Sequence, residues 1–301
     1  MTRIRTPIVT ALLLACLFSP VRSQEIPDEV LEFDRPEAWA MKYFAAVGLM
    51  QANGPSADLE PGHFALGFEL TNIPHLSEAE RTVGFNGTKA ENLNKAPILA
   101  RPLVHYAISR RWSISAAYVP PIEIFDRLKT HLAGVSVNYD AYEGERFSVR
   151  LRAIGQWTQA EGDFTGPEDI AGDEDPTRNP LGVQEPSQDV FTSWTSSLEA
   201  ALHWNLPTKR KTSWFFTTAV TYADLDFEID AILAGGYRDN RHQVTDGWIY
   251  SIGTGLESQL TERISARLTA VYVPLSVRRP PDFASGNDPL FNLRLVVNRR
   301  F

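Results

Sequence analysis

Ten times between residues 62 and 301 the sequence repeats one pattern: about ten residues in which apolar and polar side chains alternate, followed by a turn. In "FSVRLRAIGQW", Phe147, Val149, Leu151, Ala153 and Trp157 share one face, and Ser148, Arg150, Arg152 and Gln156 share the other. "ISARLTAVY" repeats it with Ile264, Ala266, Leu268, Ala270 and Tyr272 opposite Ser265 and Arg267, and the closing "LFNLRLVVNRRF" runs to Phe301. A period of two belongs to a strand whose faces meet different surroundings. Many such strands in series, and only one other periodic segment, restrict the chain to an all-β sandwich or a barrel.

Strand length decides between them. Trp194 and Trp204 lie ten residues apart on one face, as do Phe147 and Trp157. Ten residues at about 3.3 Å, tilted about 40°, cover roughly 25 Å, the height of the apolar band on a membrane barrel. Sandwich strands are shorter and are not bracketed by tryptophan. Trp112, Trp157, Trp194, Trp204, Trp214, Trp248 and Phe301 are therefore expected at membrane interfaces. Short connections near 109–111, 143–146, 207–211 and 261–263 alternate with long ones near 73–95, 121–129, 159–189, 230–246 and 278–289. This predicts a transmembrane antiparallel up-and-down β-barrel of about ten strands over 62–301, with twelve as the alternative. The last strand should close against the first, near Phe64 to Leu70.

The N-terminus carries Arg3 and Arg5, then the apolar "IVTALLLACLF", then Val21 and Ser23 at the small-residue positions of a cleavage site. That is the pattern of a secretory signal peptide over 1–23. Cys16 is the one cysteine, and the residues around it fit lipidation poorly, so an exported chain would hold no thiol chemistry. Removing three arginines with the signal moves the formal net charge from -8 to -11, a poor balance for nucleic acid. Residues 24–61 are expected to form a periplasmic or plug segment, either at the short-turn mouth or inside the lumen. It carries a short helix over about 36–51, with Pro36 in its first turn and Trp39, Tyr43, Ala46 and Met50 at helical spacing.

The signal peptide, the repeated amphipathic strands and the terminal aromatic together resemble a Gram-negative outer-membrane β-barrel protein. The resemblance covers 62–301 and is one of architecture. It implies location in the cell outer membrane, contact with outer-membrane lipid and lipopolysaccharide, both termini in the periplasm, and insertion by the barrel-assembly machinery, which reads the last strand. Arg299, third from the end, departs from the apolar residue usual there. Oligomeric state is left open.

By alternation the inner face carries Glu69, Arg101, His105, Arg150, Arg152, Glu199, His203, Glu257, Arg267 and Arg294. Ten strands leave little interior space. Two readings follow: a packed network of Arg–Glu pairs, or a narrow conduit whose excess of arginine favours small anionic or amphipathic solutes. A structural barrel with exposed loops is the non-transport form of the first. An enzyme is the alternative class. "DLDFEID" places Asp224, Asp226, Glu228 and Asp230 near His242, as an omptin-like protease would need, yet no Asp-x-His occurs. His203 and Glu199 could serve a lipid hydrolase. No catalytic residue, cofactor or metal is assigned. The acidic loop after Ala160 offers Asp169, Asp173 and Asp175 as weak Ca²⁺ candidates, although their spacing does not fit an EF-hand.

Overall fold

The computed structural model describes residues 27–55, 59–123, 128–208 and 211–301. The expected signal peptide and Cys16 lie outside them. Ten strands form the wall: β1 (Phe64–Asn72), β2 (Ile98–Ala107), β3 (Trp112–Glu123), β4 (Lys129–Glu143), β5 (Phe147–Gly162), β6 (Asp189–Leu206), β7 (Thr212–Leu233), β8 (Tyr237–Gln259), β9 (Ile264–Val273) and β10 (Leu290–Arg300). Each is antiparallel to the next, and β10 pairs back onto β1 from Arg294↔Thr71 to Arg300↔Ala65, so the barrel is closed. Closure removes the open edges that lipid could not hydrogen-bond.

Up to Tyr222 and Trp248 the outward face is apolar and the inward face polar. Trp112, Trp194, Trp204, Trp214, Trp248 and Phe301 are exposed on the outer wall, with Trp157 half-buried beside them. One aromatic cluster, Trp157 with Trp194 and His131 with Trp157 and Tyr118, lies toward the long-loop end. Another, Trp112 with Tyr139 and Tyr142 with Phe147, lies at the short-turn end. Beyond Tyr222 the pattern inverts. Ala223, Leu225, Ile229 and Ala231 are buried inward while Asp224 and Glu228 stand outward in water. The connection expected as a loop near 230–246 is therefore a continuation of the β7–β8 hairpin, turning only at Ala234–Gly236. It keeps the period of two but exchanges lipid for water as the outer solvent.

The apolar lining above the membrane band surrounds helix α1 (Pro36–Gly48). α1 is buried almost all round, Phe44 being the one residue short of full burial. Trp39 stacks on Tyr43 at 5.6 Å and donates its indole N–H to Asp288 O (3.0 Å). The Tyr43 hydroxyl donates to Pro74 O (3.1 Å), Lys42 Nζ to Ser276 O (2.6 Å), and Phe44 packs on Phe164 at 4.9 Å. Every one of these partners comes from the long-loop end. The helix thus caps the long-loop mouth and not the short-turn mouth, because only the long loops supply an apolar shell. It is preceded by a three-residue strand, Asp28–Val30, laid parallel on the edge of β8 at His242–Val244. The first described residues therefore lie at the opposite end from Phe301, and the N-terminus itself, expected on the same side as Phe301, lies outside the described residues.

The ladders are uneven. β7 and β8 pair continuously from Thr212↔Ser258 to Leu233↔Tyr237, whereas β2 and β3 pair only from Leu103↔Ala117 to Ala107↔Ser113. Beyond Leu103 three prolines intervene, Pro102 on β2 and Pro120 and Pro121 on β3, and the β3–β4 register also slips between Val119 and Ile122. Proline has no N–H to give a ladder.

At the other end the closure is tightly made. Phe301 stacks on Phe64 at 5.1 Å, its N–H donates to Phe64 O (3.0 Å), and the outward Arg299 lies 5.0 Å over its ring. Deleting Phe301 should lower the yield of heat-modifiable barrel well below that of Arg299→Leu, because it removes both the stacking and a backbone bond. Equal yields from the two variants would contradict this account.

Candidate functional site

After Gly48 the chain leaves the helix and descends through the lumen as an irregular segment with no sheet partner, Gln51 N donating to Leu49 O (2.9 Å) and Ala52 at φ 56°. Its carbonyls are met by inward arginines. Arg101 donates to Gly48 O (2.7 Å) and Leu49 O (3.3 Å), and Arg294 to Leu49 O (2.6 Å) and Gln51 O (3.3 Å). Arg267 donates to Ala52 O and Gly54 O (both 3.0 Å), and Arg150 to Pro55 O (2.6 Å). Arg152 reaches the Asn53 side chain (3.1 Å). The carboxylates hold the other side of each fork: Glu69 with Arg101 (2.7 Å), Glu199 with Arg152 (2.8 Å) and Glu257 with Arg267 (2.6 Å). Glu69 also accepts from Asn53 Nδ2 (2.7 Å) and Glu199 from Ala52 N (2.8 Å).

All ten inner-face candidates point inward and are buried. Eight of them make this clamp. His105 is apart, sharing a hydrogen bond with Ser115 (2.8 Å), and His203 stacks on Phe215 at 5.3 Å, its Nδ1 4.0 Å from Glu257. The pairing of His203 with Glu199 does not occur, since Glu199 is held by Arg152 and the Ala52 amide. The helix expected over 36–51 stops at Gly48 for a related reason. Its last turn carries no basic residue of its own, and Arg101, Arg294 and Gln156 from the wall take the terminal carbonyls at Gly48 and Leu49. Cations at a helix C-terminus answer both its orphan acceptors and its dipole.

Above the clamp, between α1 and the wall, lies a cavity of about 230 Å³. Tyr43, Phe44 and Val47 of α1 roof it, and Leu99, Val119, Leu132, Ala160 and Phe191 are among its walls. Its few polar groups are Thr130, Thr158 and Lys95, the last paired with Asp163. An apolar space of about 150 Å³ holds a benzene-sized guest, so this one admits a larger molecule. Composition gave no sign of it, because the cavity is assembled from five strands, a helix and two loops that are far apart in sequence.

The outer rim holds the remaining chemistry. His242 donates from Nδ1 to Asp28 and from Nε2 to Asp226, each at 2.7 Å. Asp226, Glu228 and His242 are the one group of three convergent metal-type ligands among the described residues. Asp169, Asp173 and Asp175 do not converge: Asp173 pairs with Arg178 (2.7 Å), and Asp175 accepts from Thr177 N (2.9 Å). Within the rim, burial lowers the Lys42 ammonium to about 8, only partly opposed by Asp34, and burial raises the Glu91 carboxyl to about 7 despite Lys89.

Burial works against the charge on His242, but the hydrogen bonds to Asp226 and Asp28 outweigh it and hold its pKa above the ordinary imidazole value. The charged form therefore favours the docked N-terminal strand. That contribution is complete below the unfolded pKa and is lost as pH rises through the raised, folded one. Exchange of the Leu31 amide, bonded to Val244 O at 2.9 Å, should be slower at about pH 5.5 than at about pH 8.5 beyond its intrinsic pH dependence. In His242→Gln that excess should vanish. An excess retained in the variant would place the switch elsewhere.

No family model and no curated protein matches the chain. Among solved structures it is similar to the outer membrane protease OmpT from Escherichia coli, with a TM-score of 0.44 and 8% identity over 82% of this chain and 100% of that one. It is also similar to the CymD monoaromatic hydrocarbon channel (TM-score 0.35, 12% identity, 89% of this chain and 75% of that). The N-terminal β-barrel domain of Pseudomonas aeruginosa OprF is a third (0.29, 10%, 79% and 97%). At these values the likeness is one of barrel architecture and carries nothing about activity. By its own geometry, a closed ten-strand wall with an apolar outer band and a polar interior, the chain is built as a transmembrane β-barrel.

Proposed function

We propose that the protein is an outer-membrane barrel that binds and passes small apolar or amphipathic molecules at its long-loop end, and that it is not an open polar pore. The long loops face the cell exterior in this reading, with the short turns in the periplasm. The observation that carries it is the apolar cavity of about 230 Å³ under α1. The excess of inward arginine, which on sequence alone favoured an anionic solute, is engaged by the carbonyls and side chains of residues 48–55. Freeing any one of those guanidiniums would leave its partner buried and unpaired, a cost of about 3–5 kcal/mol. A diffusing anion would have to displace several.

A fluorescent single-chain fatty acid should bind the refolded barrel, and Ala160→Phe, which fills the cavity, should weaken binding by about tenfold or more. Heat-modifiable migration checks that the variant is folded. Unchanged binding would remove the cavity as the site. In a planar bilayer the intact protein should give no steady ion current, and discrete open steps would overturn the plugged reading.

A second reading has one observation in its favour, the imidazole held between Asp226 and Asp28 at the rim. Such a group, charged and held by two carboxylates, is a candidate general acid. If the barrel is a hydrolase, cleavage of a dibasic peptide or release of fatty acid from lipopolysaccharide should be measurable and should be abolished by His242→Gln. Absence of both activities would leave the binding and transport reading alone.

A further inference from the structure

We propose that the unpaired stretch between β2 and β3 is a lateral portal, through which an acyl chain or similarly slim hydrocarbon passes between the bilayer and the cavity under α1. The inference rests on reading that cavity as an apolar binding site.

The direction of the backbone groups makes the prolines informative. Ala107 exchanges hydrogen bonds with β1 (Gly62 N to Ala107 O, 2.8 Å; Ala107 N to His63 O, 3.1 Å), whereas Ile108 N donates to Trp112 O across the β2–β3 turn (2.9 Å). Since successive residues face opposite neighbours, even-numbered residues of β2 and β3 face one another. Continued at the same register, the ladder would join Pro102 to Tyr118, Ala100 to Pro120 and Ile98 to Ile122. Proline occupies two of those three bonding pairs, so two N–H donors are missing where the seam needs them. Meanwhile β1 remains fully paired with β2 up to Asn72↔Ile98, and β4 with β3 around the bulge. The seams on either side of it are paired over the same stretch.

The cavity runs through that seam. Ile98, on the outer face opposite Asn72, is 44% exposed, while Leu132, on the inner face, is 0% exposed, yet both line the same space. In an intact wall, residues of opposite faces are separated by the backbone sheet. Depth is fixed by counting. Ile98 and Ile122 each lie ten residues from the short-turn end of their strands, at Ile108 and Trp112. That separation is roughly 25 Å along the membrane normal. The seam therefore spans the half of the apolar band nearer the long loops, where acyl chains of the facing leaflet lie. Backbone freed from pairing is tolerated at such depth only where it lines a cavity or is buried in protein, which is the case here. The occupant is accordingly one supplied by the bilayer, an apolar chain that enters tail first. Its polar end remains at the upper end of the seam, level with Ile98.

The test reconstitutes the full chain in bilayers containing a phospholipid with a diazirine at the acyl terminus, and maps the photoproducts by mass spectrometry. Label on Leu132 or Ala160, inner-face residues of the cavity, supports the portal. In Pro102→Val/Pro120→Val, which restores the two donors, that inner label should fall by about tenfold while label on Leu293 and Leu295 of the lipid face is unchanged. Label confined to outward residues, or inner label undiminished in the sealed variant, overturns the portal. If the fatty-acid probe still binds in either of those cases, the cavity reading survives and only the lateral route is lost. If the probe does not bind and inner label is absent, both fall. Ala160→Phe is the folding-independent control: it should abolish label on Leu132 and leave label on Ile98 in place.

Discussion

A chain threaded through a barrel has backbone donors and acceptors with no strand beside them, and they must be satisfied where water is largely excluded. In this protein the inward arginines do that for residues 48–55, and much else follows. Each guanidinium presents donors in a fork, so it can grip a carbonyl of the threaded segment and a carboxylate of the wall at once. Glu69, Glu199 and Glu257 are then counter-ions that also orient the arginines. The clamp ends α1 at Gly48, sets the path of the chain down the axis and fills that axis with paired polar groups. A helix is about 10–12 Å across with its side chains. It could not share the lumen of ten strands with five arginines, so it remains in the mouth, and only an irregular segment descends.

The wall answers two solvents with one periodicity. Below Tyr222 and Trp248 lipid lies outside and the polar clamp inside; above them water lies outside, and the apolar residues move inward to meet α1. The long β7–β8 hairpin carries both regimes without a break in alternation. What changes at Ala223 is which parity is apolar. The upper part behaves as a small soluble core set on a membrane barrel, and it is there that an apolar cavity can persist beside a helix. Asp28–Val30 covers the edge of β8 that β9, paired only from Ile252, leaves open. This is the usual remedy for an unpaired edge.

The parts legible in the sequence were those with local periodicity. Alternation gave the ten strands, the closure of the last on the first, and the facing of every inner charged residue from Glu69 to Arg294. Tryptophan spacing gave the membrane band, and helical spacing gave α1. The threaded segment was not legible, because "MQANGP" has no period and its partners are spread from Glu69 to Arg294. Residues 230–246 read as a loop because the inversion of polarity before them looks like the end of a strand, whereas the hairpin is paired to Leu233↔Tyr237. The seam was written in the sequence and passed over: Pro102, Pro120 and Pro121 sit inside segments whose alternation is otherwise good. Proline within a sheet marks an edge, and a closed barrel has no edge unless one seam has been left unjoined.

That last point joins the two halves of the structure. A barrel blocked along its axis by a clamped segment can exchange a guest only through its mouth or its wall. The mouth is filled by α1, whose Trp39, Lys42 and Tyr43 each donate a hydrogen bond to the long-loop shell. Between β2 and β3 the wall is left unjoined beside the cavity itself. An apolar guest reaching the cavity from water would first have to leave the bilayer, at about 0.8 kcal/mol for each methylene transferred, and then pass a layer of buried polar contacts. Through the seam it exchanges one apolar surrounding for another and breaks no ladder bond, since proline has already removed the donors. On the proposed reading, the same ten strands are closed to ions and open to lipid-soluble molecules, the distinction being set by where the hydrogen bonds are complete.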